Sequence, residues 1–439
     1  MIPILKLSEL TETRLARLLR RSEIDIDAAL AVAQSVIDRV KAEGDAGVLH
    51  YARTFDYPEA TLESLRVTEK EFEQAEAQLE PELRRAVEHS LRNIQAVHAK
   101  QMPPPIHLAE IEPGVLAGEK ITPIPRVGLY VPRGKGAFPS MMLMLAAPAR
   151  VAGVKSIAVC TPPDRQGQVE PVSLVAARLA GVTEIYKLGG VQALAALGLG
   201  TGLVPKVDKL IGPCSAYGAA AKRILFGSVD VGLPAGPSES IILADETADP
   251  RLAALDLLIE AEHGSDSAAL LVTHSWDLAQ AAQGHVETYL QQLPPRRRQF
   301  CEEGLANYGG ILLTPDLNAS LDFINTYAPE HLQLLVADPL ALLGKIDNAG
   351  EILLGAHTPS SAATYAIGVN AVLPTGGFAR SYSAVSVFDF LKRSTVAYLT
   401  PEGFNGVKDT VTALADYEDF PAHALAIRER ERLWGIEKA

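Results

Sequence analysis

The sequence has few cysteines and no long apolar run, and both shortages exclude whole classes of protein. Only Cys160, Cys214 and Cys301 occur among the 439 residues, which excludes a disulfide scaffold or a cysteine-based zinc module and indicates a reducing compartment. No apolar run approaches the roughly 18 residues of a membrane span, and acidic residues follow the N-terminus too soon for a signal peptide. We therefore expect a cytoplasmic protein that does not enter a membrane.

Positive charge is also scarce. Lys and Arg number 40 against 53 Asp and Glu, so the net charge is −13, and this excludes non-specific nucleic-acid binding, which needs basic faces. A hydrophobic fraction of 48% with 21% charged residues is typical of a folded globular chain rather than a disordered one. The ten histidines are the main candidates for chemistry, and an enzyme is the expected class of protein.

The spacing of apolar residues changes along the chain. It is helical over most of the first hundred residues, including a long pattern over 67–101 that Pro81 interrupts. From Val127 onward, short apolar runs of strand length alternate with helical stretches rich in Ala and Leu, which predicts βαβ units around parallel sheets. The predicted strands form a first series (127–131, 155–160, 184–188, 206–211) and a second series (240–244, 268–273, 310–313, 332–336, 351–354), divided by the turn at 234–237.

The sequence therefore predicts an α/β protein with two consecutive Rossmann-like parallel-sheet domains and helical N-terminal and C-terminal segments. The expected boundaries are a helical segment at 1–126 that completes the second α/β domain, a first α/β domain at 127–236, a second at 237–393 and a helical tail at 394–439. A cleft between two packed domains is a usual place for a ligand.

Three histidines lie where they could take part in chemistry. Glu260 and His263 are three residues apart on a predicted helix, so they share a face and could bind one metal ion, although from spacing alone an exposed polar helix end is the more ordinary interpretation. Glu330 and His331 stand side by side before a predicted strand, where they could share acid and base work or form a polar loop. His423 is isolated in the tail, and it could act only if the tail reaches a distant site.

Glycine-rich turns follow several predicted strands, at 133–136, 189–190 and 212–213. None has the G-x-G-x-x-G spacing of a dinucleotide fingerprint. Glycine after a strand lets a ligand approach the backbone, so the turns predict a ligand at the carboxyl edge of the sheet without identifying it. In the first turn, Arg133 and Lys135 could meet a phosphate or could simply be solvated.

Read in order, several stretches across nearly the whole chain resemble the histidinol dehydrogenase family. They are 127–132 (VGLYVP), 189–193 (GGVQA), 204–209 (VPKVDK), 234–239 (PAGPSE), 261–264 (AEHG) with Asp266 and Ser267, 328–332 (APEHL), and Asn370 with 372–375 (VLPT). The resemblance implies an NAD-dependent, zinc-containing alcohol dehydrogenase that works as an intertwined homodimer with a shared active site. It implies oxidation of a small-molecule primary alcohol through an aldehyde to a carboxylate, with two NAD used in succession.

The resemblance also implies roles for individual residues. The acid/base pair of the family falls on Glu330 and His331, in the domain on the metal and substrate side, and the first α/β domain becomes the cofactor side. Other matched positions are cofactor-binding Tyr130, Gln192 and Ser215, substrate-binding Ser238 and Glu418 together with His331, and the metal positions Glu260, His263 and His423. In the family, the tail is exchanged within the dimer, so the ligand matching His423 comes from the partner subunit.

Several matched positions carry a different residue from the one that the family pattern has. Glu260 replaces a glutamine ligand, Thr364 an aspartate ligand, Ala371 a histidine, and Ser215 a cofactor-contacting asparagine. Cys214 replaces a glycine beside Ser215, and Arg133-Gly134 replaces Gly-Gly. One explanation is compensation, in which Glu260 supplies the carboxylate that Thr364 lacks and a Glu260/His263/His423 set binds zinc with water or substrate oxygen as fourth ligand. The other explanation is loss of zinc.

Three functions stay open at this point. The first is a family member that oxidises a small amino alcohol other than L-histidinol, with His331 taking the hydroxyl proton and Glu330 assisting; Thr364 and Ala371 favour this hypothesis. The second is a genuine L-histidinol dehydrogenase of histidine biosynthesis with an unusual metal site. The third is a non-catalytic ligand-binding paralogue, against which the presence of Glu330, His331 and Gln192 counts.

Overall fold

The alternation of short apolar runs and helical stretches folds as two parallel sheets covered by helices. The computed structural model describes residues 2–21, 26–133 and 136–435, so Gly134 and Lys135 of the first glycine-rich turn lie outside the described residues. The strands are β1 (Ile4–Lys6), β2 (Ile106–Glu112), β3 (Val115–Pro123), β4 (Arg126–Tyr130), β5 (Ser156–Cys160), β6 (Glu184–Tyr186), β7 (Lys209–Ile211), β8 (Glu239–Ala244), β9 (Ala268–Thr273), β10 (Gly310–Leu313), β11 (His331–Leu335), β12 (Glu351–Leu354) and β13 (Leu391–Leu399).

The helices fill the intervals between the strands and both ends of the chain. They are α1 (Glu12–Arg20), α2 (Ile26–Glu43), α3 (Asp45–Tyr51), α4 (Glu69–Gln78), α5 (Pro81–Gln101), α6 (Pro139–Val151), α7 (Pro171–Leu179), α8 (Gly190–Leu199), α9 (Ala216–Leu225), α10 (Pro250–Ala261), α11 (Trp276–Leu290), α12 (Pro295–Tyr308), α13 (Leu317–Tyr327), α14 (Pro339–Leu342), α15 (Ser360–Ala362), α16 (Pro401–Tyr417) and α17 (Pro421–Trp434). Throughout the described part of the chain, no helix is both long enough and apolar enough to cross a membrane.

The two parallel sheets confirm the predicted fold class. The first sheet has the strand order β6-β5-β4-β7, and the second has β1-β10-β9-β8-β11-β12. Every residue of β8 and β9 is buried, because helices cover both faces of the sheet, and this explains why the strands read as unbroken apolar runs. Both sheets lie in one compact unit formed by residues 1–102 and 124–390.

The N-terminal segment divides among different parts of the molecule, which corrects the expectation that 1–126 is a helical segment completing the second domain. Only β1 joins the second sheet, where it pairs with β10. Helices α2 and α3 instead bury apolar residues such as Ala33, Ile37 and Val48 in the core of the first sheet. Strands β2 and β3 are not helical at all, and they pair with each other.

The C-terminal tail is also not wholly helical, as had been expected for 394–439. Strand β13 runs from Leu391 to Leu399 and pairs along its whole length with β3 in an antiparallel sheet of order β13-β3-β2. This sheet and helices α16 and α17 form a second compact unit, made of residues 103–123 and 391–439. Within it, Lys408 Nζ lies 3.1 Å from Glu431 and the rings of Phe404 and Trp434 meet edge to face.

Strand register brings polar residues to one edge of the second sheet. His331, the first residue of β11, lies opposite Ser240 of β8 on one side and opposite Glu351, the first residue of β12, on the other. These are the amino ends of parallel strands. In the first sheet it is the carboxyl ends that carry the glycine-rich turns, after Tyr130, Tyr186 and Ile211.

Candidate active site

His331 lies at the amino edge of the second sheet with three carboxylates around its ring. Its side chain is buried, and its Nδ1 lies 2.8 Å from Glu351 Oε2. Its Nε2 lies 3.8 Å from Glu330 Oε1 and 3.9 Å from Glu260 Oε2. Burial lowers the pKa of His331, but Glu260, Glu330 and the hydrogen-bonded Glu351 raise it more, to about 10.

Glu330 is anchored in the same cluster by a backbone donor. The N–H of Glu239 donates to Glu330 Oε2 at 2.8 Å, which ties the carboxylate to the start of β8. Burial raises the pKa of Glu330 well above its usual range, and the neighbouring carboxylates of Glu260 and Glu239 add to the rise against the opposing effect of His331. The cluster therefore holds a proton at neutral pH, and a cation bound beside these carboxylates would make that proton easier to release from His331.

A buried ion pair supports the cluster from behind. Glu239 Oε2 lies 3.1 Å from Arg21 Nη1, and Glu239 Oε1 accepts the Gly376 N–H at 2.6 Å. The Arg21 guanidinium also stacks on the ring of Tyr327 and donates to the carbonyl oxygens of Tyr327 and Ala328, just before Glu330. Burial raises the pKa of Glu239 to about 7 although Arg21 opposes the shift. Arg21 and Glu239 thus fix the backbone that delivers Glu330 and His331.

Glu260 and His263 lie together at the end of α10, as their spacing predicts. His263 Nδ1 is 3.2 Å from Glu260 Oε2 and 3.1 Å from the carbonyl oxygen of Ile259, while Ser360 Oγ donates to Glu260 Oε1 at 2.7 Å. Burial raises the pKa of Glu260, but His331, His263 and Ser360 outweigh it, and the net pKa is lowered. Glu260 is therefore an ionised carboxylate beside a half-exposed imidazole.

A carboxylate and an imidazole are donors that zinc accepts, so these two residues fit part of a zinc site. Within residues 2–21, 26–133 and 136–435, however, no cluster of three or more His, Cys, Asp or Glu side chains is arranged to hold a metal ion. Thr364, half-buried in the π-helical turn Ala363–Ile367, brings no carboxylate. A complete zinc site would need a ligand from outside this pair.

Tyr130 and Gln192 meet at the carboxyl edge of the first sheet, at the start of α8. The Gly190 N–H donates to Tyr130 Oη at 3.0 Å, and Gln192 Nε2 donates to Asp56 Oδ2 at 3.1 Å. Asp56 also accepts the Gly189 N–H, at 3.1 Å to Oδ1. Burial raises the pKa of Asp56 to about 6, against these hydrogen bonds.

A cavity of about 430 Å³ opens beside Asp56. Three of its lining residues, Arg53, Arg133 and Arg165, carry guanidinium groups, and Phe55 and three prolines form the apolar part of its wall. Together with the start of α8, this arrangement could accept a phosphate-bearing ligand with an aromatic part.

The turn after β7 requires glycine at its first position. Gly212 has a φ of +141°, and a Cβ there would lie 2.0 Å from the carbonyl oxygen of Tyr130. This close approach places the turn, with Cys214 and Ser215, against the end of β4. Ser215 is exposed at the N-terminus of α9, and its side chain does not cap the helix.

Three predicted site residues remain, namely Ser238, Glu418 and His423. Ser238 is half-buried directly before β8, and its carbonyl oxygen accepts the Ala268 N–H at 2.9 Å. Glu418 and His423 are exposed residues of the second compact unit, at the end of α16 and near the start of α17. The His423 ring packs against the exposed ring of Phe420.

Sequence reasoning missed Glu351, Glu239, Arg21 and Asp56. Each reaches the site through a contact between residues far apart in sequence: Glu351 and His331 are 20 residues apart, and Asp56 and Gln192 are 136 apart. A weak signal existed for Glu351, since an acidic residue opens an otherwise apolar strand. The order of strands in the sheet, which brings it to His331, was not readable from the sequence.

Comparisons with known proteins agree along nearly the whole chain. A family model described as histidinol dehydrogenase matches residues 19–431. A histidinol dehydrogenase of Synechocystis sp. is 77% identical over 99% of this chain and 100% of its own length, and a histidinol dehydrogenase homolog of Cereibacter sphaeroides is 48% identical over 96% of each. The crystal structure of histidinol dehydrogenase from Elizabethkingia anophelis superposes with a TM-score of 0.92, at 34% identity, over 99% of both chains.

Proposed function

The chain belongs to the histidinol dehydrogenase family, and from that premise we propose that it oxidises L-histidinol to L-histidine. It is an NAD-dependent oxidoreductase acting on CH–OH groups, and enzymes of this family use NAD and Zn²⁺. Support for the substrate comes from the Synechocystis relative, which carries the name histidinol dehydrogenase at 77% identity. This is the second of the three functions that the sequence left open, now preferred over a different amino alcohol.

The observation that carries the proposal is the charge around His331. Three carboxylates face one buried imidazole, so the cluster keeps a net negative charge even when His331 is protonated. Such a site favours a positively charged alcohol. The positive charge of the substrate can take the place of the imidazolium charge when His331 loses its proton. An amino alcohol such as L-histidinol meets this requirement at neutral pH.

In the proposed reaction, His331 Nε2 takes the proton of the substrate hydroxyl group, since the ring offers no other free nitrogen. NAD, when bound, would supply the hydride acceptor for the carbinol carbon. Glu330, whose raised pKa keeps a proton within the cluster, assists as acid or base and activates water when the aldehyde is oxidised to the carboxylate. Arg21 and Glu239 hold both residues in place and exclude solvent from behind them.

Other residues would hold the cofactors. Tyr130, Gln192 and Ser215 line the carboxyl edge of the first sheet, where the arginines beside Asp56 would meet the phosphates of the dinucleotide. Glu260 and His263 would hold zinc, which supplies a Lewis acid that orients the amino alcohol. Enzymes of this family are homodimers, and we propose that the tail, 394–439, is exchanged so that His423 and Glu418 complete the partner's site. A cytoplasmic location stays a prediction.

An absorbance assay of NADH formation tests the proposal. The purified protein is given NAD with L-histidinol or with a panel of small amino alcohols, diols and sulfonated diols. We expect the highest kcat/KM with L-histidinol, and a fall on the order of 10²- to 10⁴-fold in the His331→Asn variant. Turnover of another alcohol with none of L-histidinol would favour the first of the three functions, a family member with a different substrate, which Thr364 and Ala371 support. No turnover with any alcohol would refute both.

A further inference from the structure

Glu351 makes a hydrogen bond to His331, and neither the proposed acid/base pair nor the metal residues account for this contact. Its Oε2 accepts the His331 Nδ1–H at 2.8 Å. Both side chains are almost fully buried, at 6% and 7% exposed. The second oxygen, Oε1, is buried and has no hydrogen-bond partner among the described residues. The imidazole is therefore the one donor that the described structure provides to this carboxylate.

The backbone fixes the contact between the two side chains. Glu351 and His331 are direct partners at the first positions of the adjacent parallel strands β12 and β11, so their side chains leave the sheet on the same face. Two further hydrogen bonds hold the strand starts together: the Gly350 N–H donates to the Pro329 carbonyl and the Glu351 N–H to the Glu330 carbonyl, each at 2.9 Å. A contact between strands permits less movement than one between loops.

The contact decides which ring nitrogen is available for chemistry. Because Nδ1–H is committed to Glu351, a neutral His331 carries its lone pair on Nε2. Nε2 has no partner within hydrogen-bond distance among the described residues, and it faces Glu330 and Glu260 at 3.8 and 3.9 Å. Without Glu351, the proton could reside on either nitrogen and the ring could rotate.

We propose that Glu351 is a positioning residue: it fixes the tautomer and orientation of His331 so that Nε2 receives the substrate proton. The inference rests on the proposed function. In the step concerned, the O–H bond breaks and an Nε2–H bond forms while the carbinol C–H pair leaves as hydride to oxidised NAD, giving the aldehyde, NADH and an imidazolium. Glu351 keeps its hydrogen bond to Nδ1–H throughout and stabilises that imidazolium.

The inference is tested with two variants at the position and one elsewhere. Glu351→Ala removes the acceptor, whereas Glu351→Asp keeps a carboxylate that can accept the Nδ1–H. Glu246→Ala is the matched control, since Glu246 Oε2 lies 3.1 Å from His274 Nε2 in a Glu–His contact with an exposed carboxylate. Steady-state kinetics are measured with the best alcohol of the wild-type protein, alongside thermal unfolding and NAD binding by calorimetry.

We expect Glu351→Ala to lower kcat by roughly 10²-fold while KM changes by less than about threefold, because orientation is lost in the reacting complex and not in binding. Glu351→Asp should recover much of the loss, to within roughly tenfold of wild type. Melting temperature and NAD affinity should stay near wild type, and Glu246→Ala should change nothing. A kcat for Glu351→Ala within about threefold of wild type, or equal losses in the Ala and Asp variants, would overturn the proposal.

A measurement independent of turnover separates this inference from the proposed function. In protein labelled with ¹⁵N-histidine and titrated upward in pH until His331 becomes neutral, above about pH 10, the signal that disappears in His331→Asn should show an Nδ1–H tautomer. That signal should move toward a mixture of tautomers in Glu351→Ala. If the wild-type protein oxidised no alcohol, the proposed function would fail, while an unchanged tautomer in Glu351→Ala would refute the role of Glu351 by itself.

Discussion

Replacing Asp56 by asparagine should change how the stability of the protein depends on pH. Asp56 is a mostly buried carboxylate whose hydrogen bonds to Gly189 and Gln192 do not fully offset its burial, so its pKa rises from 3.8 to about 6. A raised pKa in the folded state means that the folded protein binds the proton more tightly than the unfolded chain does. The resulting stability is present below about pH 4 and is lost as the pH rises through about 6.

The size of the effect follows from the shift. At about 1.4 kcal/mol for each pK unit, a rise from 3.8 to about 6 corresponds to at most roughly 3 kcal/mol. Asparagine keeps an oxygen for the Gly189 N–H but does not titrate. The free energy of unfolding of Asp56→Asn, minus that of the parent, should therefore increase by up to roughly 3 kcal/mol between about pH 4 and about pH 7.

Urea unfolding followed by circular dichroism measures this difference, at one protein concentration because homodimer stability depends on concentration. Asp249→Asn is the control. Asp249 is an exposed helix cap whose pKa is lowered to about 2, chiefly by hydrogen bonds from Arg251, so its contribution is lost only as the pH falls below about 4. A flat or falling difference for Asp56→Asn over the same range would refute the reasoning.

Three further variants test the packing and the metal residues. Gly212→Ala should destabilise the protein by roughly 3 kcal/mol and weaken NAD binding, because the new Cβ would collide with the Tyr130 carbonyl; urea unfolding and calorimetry measure both. Arg21→Met should cost roughly 3–5 kcal/mol in urea unfolding, because it leaves Glu239 buried without its cation. His263→Ala should reduce zinc, measured by elemental analysis, from about one ion per chain to a small fraction of that.

Each of these variants has a matched control. A Cβ on Gly284, in the middle of α11, meets nothing within 4 Å, so Gly284→Ala should be neutral or slightly stabilising. Arg20 is exposed next to Arg21, and Arg20→Met should cost little. His274→Ala should leave the zinc content unchanged. Equal effects in a variant and its control would contradict the account of that residue, and metal-free protein with full activity would contradict the zinc assignment.

The parallel strands were predictable because burial on both faces requires apolar residues, which are visible in the sequence. Ala268–Thr273, Gly310–Leu313 and Glu351–Leu354 were predicted with the bounds that the structure shows, since strands covered on both faces are short apolar runs between turns. Strand β2 was missed because all of its residues are exposed, so it carries no apolar run. The prediction of a helical tail was wrong over β13, none of whose residues is buried.

The candidate site was predictable where it depends on neighbours in sequence. Glu260 with His263 and Glu330 with His331 are adjacent or three residues apart, and the structure brings all four together. Glu351 reaches His331 through strand order, which apolar patterning does not encode. His331 opens strand β11, in keeping with its place before the predicted strand 332–336, so this cluster lies at the amino edge of the second sheet.

The most direct test of the central claim is a mass balance for L-histidinol. Incubated with excess NAD, the protein should consume L-histidinol and form L-histidine, with two NADH for each molecule consumed, and the His331→Asn variant should form neither product at a comparable rate. Absence of L-histidine and NADH from a folded protein that binds NAD would contradict the claim.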